Sequence, residues 1–161
     1  MERFDRLLAQ VLDEARALSI PVSAHIEPHV EVNGRARTRF GCCLARNGRY
    51  TIQLSARLLE GPDWACRQTL AHEVLHTCPG CANHGPRWKE YARRMNEAYG
   101  YAITRTAPSE ALGLPPAESQ AKHLLVCTRC GAAYPRMRAS ALVRHPQRYR
   151  CRCGGTLRLE Y

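Results

Sequence analysis

An α+β domain followed by a small cysteine-rich module is the fold class this sequence predicts, and three observations carry it. Apolar residues recur at helical spacing near the N-terminus, short alternating segments broken by glycine follow them, and four cysteines in two Gly-bearing turns gather near the C-terminus.

Phe4, Leu7, Leu8, Val11, Leu12, Ala15 and Leu18 share one helical face, so residues 2 to about 19 predict an amphipathic helix that ends before Pro21. Over residues 28 to 55, "HVEVNGRARTRFGCCL" and "GRYTIQLS" alternate between Gly and Asn-Gly turn signals and predict two or three antiparallel strands. Arg35, Arg37 and Arg39 would share one strand face, either solvated or lining a groove. With Asp63 as N-cap, "WACRQTLAHEVLHTC" predicts a helix stopped by Pro79 and Gly80. A further helix starts near Pro86, sets Trp88, Tyr91, Ala92, Met95 and Tyr99 on one face, and closes at Gly100. "RTAPSEALGLPPAESQAK" holds three prolines and little apolar periodicity, so residues 106–121 predict a linker between a domain over 1–105 and a module over 122–161.

At 161 residues the chain is long enough for one core and a satellite, and too short for two large cores. No run approaches the roughly 18 apolar residues of a membrane helix, and the N-terminus mixes charges into its apolar pattern. The expectation is a soluble, cytoplasmic monomer with no membrane partner. In that reducing setting its nine cysteines read as metal ligands or packed thiols rather than disulfides. The net charge of +10 is unevenly spread: residues 1–120 carry 15 basic and 13 acidic side chains, residues 121–161 carry 9 and one. An electropositive end suits a polyanionic partner.

The chemistry concentrates in "LAHEVLHTCPGCANHGPRW", residues 70–88. His72 and His76, four apart on a helix, present both imidazoles on one face, close enough to hold one zinc ion. Glu73 stands where a general base can take a proton from a zinc-bound water. The surrounding Leu70, Ala71, Val74 and Leu75 make unpaired polar groups costly there, which favours a metal. Two residues compete as third ligand. His84 follows a Pro-Gly turn that can swing the chain back, and Glu97 lies on the next helix.

The order "RARTRFGCCL", "YTIQLSARLL", "LAHEVLHTC", "NHGPRW" resembles the SprT-like family of zinc metallopeptidase domains, in which HExxH is followed by an HG pair and an aromatic residue. The resemblance covers roughly residues 2 to 105 and continues into the tail. It implies a zincin-like fold, His84 as the third ligand, and Trp88 as the aromatic anchor. It also implies a DNA-proximal role, since Spartan-like members degrade proteins crosslinked to DNA. The chain departs from many members in its short loop after His76, which holds Cys78 and Cys81. Those thiols read as packing residues, with redox or metal regulation as the alternative. Cys42 and Cys43, adjacent on a strand, point to opposite faces and read as packing.

In the tail, Cys127, Cys130, Cys151 and Cys153 supply four thiolates for one structural zinc, and the resemblance implies a zinc ribbon. So few large apolar residues accompany them that the ion would supply the folding energy. Arg136, Arg138, Arg144, Arg148 and Arg150 alternate with Tyr134, His145 and Tyr149, a mixture suited to phosphate contacts and base stacking and hence to DNA without sequence preference. The expected function is zinc-dependent peptide hydrolysis with Glu73 as base, one catalytic and one structural Zn2+, acting on protein or peptide near DNA. The alternative is a nucleic-acid-binding or transcription-linked zinc protein with weak or absent peptidase activity. Tyr91, Tyr99 and Arg87 are the candidates for stabilising an oxyanion.

Overall fold

The computed structural model describes residues 2–116 and 121–161. The chain divides into two compact units, Met1–Ala117 and Glu118–Tyr161. Residues 117–120 of the expected linker lie outside the described residues.

In the first unit, α1 (Arg3–Ala17) buries Phe4, Leu7, Leu8, Val11 and Ala15, the stripe its spacing predicts. Three strands follow: β1 (Glu31–Asn33), β2 (Gly41–Arg46) and β3 (Arg49–Ser55), ordered β1-β3-β2. β2 and β3 are an antiparallel hairpin turned by Asn47 and Gly48, both left-handed at φ 48° and 76°, as a two-residue Asn-Gly loop requires. β1, however, runs parallel to β3, so the sheet is mixed rather than antiparallel throughout. Asn33 causes the departure. Its side-chain oxygen accepts the N–H groups of Arg35 and Ala36, ending the strand, and residues 34–40 then carry the chain to the opposite edge of β3. Arg35, Arg37 and Arg39 therefore lie in an irregular segment and share no strand face.

The next helix, α2 (Asp63–Leu75), is buried on nearly every side, from Ala65 and Cys66 through Leu70 and Ala71 to Val74 and Leu75. A helix without a solvated stripe must be central. It packs against α1, against β2 and β3, and against α3 (Pro86–Tyr99). Pro62, not Asp63, is its N-cap; the Asp63 carboxylate instead accepts from Arg3. Beyond Leu75 the backbone tightens, with Thr77 and Cys78 donating to carbonyls three residues back, and the chain turns at Gly80. α3 buries Trp88, Ala92 and Met95 and closes on left-handed Gly100.

The segment after α3 corrects the expected linker. Ile103, Leu112 (1% exposed) and Leu114 enter the same core as α1 and α2. Three apolar residues at irregular spacing leave no periodic signal, yet each finds a pocket. The Arg57 guanidinium holds this strap by donating to Ser109 Oγ at 3.0 Å and the Pro115 carbonyl at 2.6 Å.

In the second unit, β4 (His123–Cys127), β5 (Ala133–Arg136) and β6 (Leu157–Leu159) form an antiparallel sheet in the order β5-β4-β6, with a one-turn helix α4 (Ala141–Arg144). Its core is small: Leu125, Val143 and Leu157 beside Cys127 and Cys151. No described helix is long and apolar enough to cross a membrane.

Candidate metal centre

Three imidazoles converge at the C-terminal end of α2. His72 comes from the last turn of α2, His76 caps it, and His84 comes from the loop before α3. His84 Nε2 lies 3.0 Å from His72 Nε2, and His76 Nε2 lies 3.4 Å from it. Nitrogens bound to one tetrahedral zinc stand about 3.3 Å apart, so the triangle has the size of a coordination face.

The outward nitrogens explain which atoms are free. His76 Nδ1 donates to the Cys81 carbonyl at 2.7 Å, and His72 Nδ1 donates to the Thr104 carbonyl at 3.0 Å. Carbonyls only accept, so both Nδ1 atoms carry hydrogen and both Nε2 lone pairs face inward. Lone pairs aimed at one another at this distance repel, and a cation among them removes the repulsion. Burial, then the neighbouring His76 and His84, pull His72 down to about 4, while burial and His76 lower His84. Neutral rings are the form that binds a metal. Trp88 is the platform beneath them, its ring centroid 4.8 Å from His72, 5.6 Å from His76 and 4.6 Å from His84.

Glu73 sits beside this triangle and is 8% exposed. Burial pushes its carboxyl up to about 7, against the Cys43 backbone N–H and the charge of Arg39, which favour the anion. The strand comes very close at this point. A Cβ on Gly41 would lie 2.7 Å from both Cγ and Oε1 of Glu73 and 2.9 Å from Thr69 Cγ2. A groove of about 660 Å³ runs from Gly41, Cys42, Cys43 and Tyr50 across to His72, Glu73, His76 and His84.

Other expected residues fall elsewhere. Glu97 is bound by Arg93, both carboxylate oxygens lying 2.6 Å from the guanidinium. Cys78 and Cys81 are buried, and burial with Cys81 nearby pushes the Cys78 thiol up to about 12, so it stays protonated. Tyr99 donates to the Glu14 carbonyl, Arg87 donates to the Pro79 carbonyl, and Tyr91 packs on the core. The sequence reading missed Gly41, the Cys43 N–H, and the Cys81 and Thr104 carbonyls. Only Gly41 left a trace, as a glycine opening a strand where another group approaches closely.

In the second unit, the sulfurs of Cys127, Cys130, Cys151 and Cys153 lie within 4.8 Å of one another. Cys127 and Cys153 are 3.5 Å apart, Cys130 and Cys151 3.6 Å. Thiolates on one zinc stand about 3.8 Å apart, so this set also fits the ion. The Tyr134 hydroxyl, 3.0 Å from Cys151 Sγ, is the first of the groups that hold that thiol below its ordinary value. Tyr134 therefore turns its hydroxyl to the cysteines, and its ring packs against the small core of this unit. Arg138, Arg144, Arg148 and Arg150 are exposed and Arg136 is half-buried, with Tyr149 and His145 also exposed.

A family model described as the SprT-like family matches residues 6–107, well over half of the chain. No curated protein matches it significantly.

Proposed function

Because the chain belongs to the SprT-like family, its first unit is a metallopeptidase-like domain, and we propose that it is an active zinc-dependent endopeptidase. His72, His76 and His84 would hold the ion. Zinc there supplies a Lewis acid that acidifies water and polarises a carbonyl. The remaining work belongs to the chain. Glu73, whose carboxyl burial holds above the ordinary carboxylate range, is poised to take a proton from a water in the groove and return it to the leaving amine. The Cys43 N–H favours the ionised form of that carboxylate, and the carbonyls of Cys81 and Thr104 keep two imidazoles in the tautomer that binds.

One observation carries the reading: a buried carboxylate adjoins three inward-facing imidazole nitrogens and lines the same groove of about 660 Å³. Glu73→Gln tests it. Cleavage of an unstructured protein, or of the chain itself, should fall by at least about a hundredfold while zinc content stays the same. An equally active Glu73→Gln protein ends the peptidase reading.

The exposed arginines of the basic second unit favour DNA as the polyanion beside which this activity works, so DNA-bound or DNA-crosslinked proteins are the proposed substrates. A nucleic-acid-binding role without hydrolysis would be favoured by intact DNA binding in a wild-type protein that cleaves nothing.

A further inference from the structure

A second cavity, about 230 Å³, shares Gly41, His72 and Glu73 with the groove. Phe40, Ile103, Ala107 and Leu112 line it beside Glu73, and so do the exposed Arg39 and Arg105. Sites for whole small molecules typically span about 300–1,000 Å³, so this volume suits one amino-acid side chain. It is also pre-formed. Arg57 stacks over the Phe40 ring at 4.7 Å, donates to the Arg37 carbonyl, and ties the opposite wall through Ser109 and Pro115.

The two arginines in this lining decide what enters. Among the described residues, no ion pair or side-chain hydrogen bond engages either of them, although seven other arginine–carboxylate pairs form. Both lie close enough to the centre to act on it electrostatically, Arg39 on Glu73 and Arg105 on His84. An apolar side chain entering between them would strip water from two guanidinium groups and return nothing. A carboxylate would replace that water with charge-assisted, two-pronged hydrogen bonds.

We propose that this cavity receives the side chain of an aspartate or glutamate adjacent to the bond that is cut, its carboxylate held by Arg39 and Arg105. The proposal rests on the peptidase reading but is tested by binding, so the two can fail separately. The zinc-loaded full chain carrying Glu73→Gln is titrated against labelled peptides that differ only in having Glu, Gln or Leu at the two central positions. The Glu peptide should bind roughly tenfold tighter than the Gln peptide. Adding Arg39→Gln and Arg105→Gln should remove that preference, and Arg→Lys at both should keep part of it. Equal affinity for the three peptides, or a preference for Leu, overturns the proposal. So does a Glu preference that survives both Arg→Gln changes, or one that the Lys variants lose entirely. In otherwise wild-type enzyme, a kcat that falls equally for all peptides on Arg→Gln would make these residues catalytic, and would overturn it too. Acid-selective binding in the Glu73→Gln chain, together with a zinc-loaded wild-type chain that cleaves nothing, supports the cavity assignment and refutes the peptidase reading.

Discussion

Gly41 determines how near strand β2 can pass to the general base. Its missing side chain is what lets Glu73 lie against the strand and meet the Cys43 N–H. Gly41→Ala would place a methyl group 2.7 Å from the Glu73 carboxylate, and buried Thr69 blocks the other direction. The carboxylate must move, by something approaching 1 Å, and misplacement of a reacting group by that much costs on the order of a hundredfold in rate. Gly41→Ala should therefore lose about two orders of magnitude in peptide cleavage while binding zinc like wild type, since no imidazole contacts Gly41. Activity close to wild type would mean that Glu73 needs no such placement. At this scale the pairing of His72 with His76 was legible, because i,i+4 spacing on a helix is a local fact. Spacing left His84 and Glu97 both open as third ligand, and only the resemblance to the SprT-like family implied His84. The carbonyls of Thr104 and Cys81 were not legible. Every residue carries a carbonyl, and only the folded chain selects which one faces an imidazole.

Among the elements, the strap that follows α3 matters most for the site. Asn96 on α3 clamps it from both sides, donating to the Ile103 carbonyl and accepting the Ile103 N–H, which sets the next residue, Thr104, against His72. Arg57 then fastens the strap's far end to the segment before β2. Arg57→Ala removes three hydrogen bonds and a stacked cation from a partly exposed site, worth together about 1–3 kcal/mol. Denaturant unfolding should register that loss with an unchanged slope, and KM should rise more than kcat falls, because the cavity wall loosens while the histidines stay. A variant as stable as wild type would show that the strap is held by Leu112 and Leu114 alone. Helices α1, α2 and α3 and the β2–β3 hairpin were legible because each repeats a period or ends on a turn residue. The strap and the parallel strand β1 were not, since their positions depend on partners distant in sequence, and an Asx turn at Asn33 resembles any other loop until its partners are known.

At the scale of the whole molecule, charge and metal dependence are divided between the two units. The Met1–Ala117 unit has a broad apolar core, whereas Glu118–Tyr161 buries only Leu125, Val143, Leu157 and two of its cysteines. With so little core, this unit is expected to depend on a metal held by its four cysteines for its folding. Wild-type protein should therefore carry two zinc ions, and His84→Ala one, with the cysteine site still filled. Strong chelation should unfold the second unit and leave the helical content of the first; loss of both together would refute the division. The second unit also holds most of the net charge, 9 basic residues against one acidic within residues 121–161. Such a surface binds polyanions by releasing their counterions, and the dependence on salt counts the phosphates engaged. If Arg136, Arg138, Arg144, Arg148 and Arg150 each meet one phosphate, the logarithm of the binding constant for DNA should fall against the logarithm of salt with a slope of roughly −3 to −5. Replacing two of the exposed arginines by glutamine should flatten that slope by about two and weaken binding equally on unrelated sequences. Affinity that holds constant as salt rises, or a slope untouched by the replacements, would remove DNA as the partner of this surface.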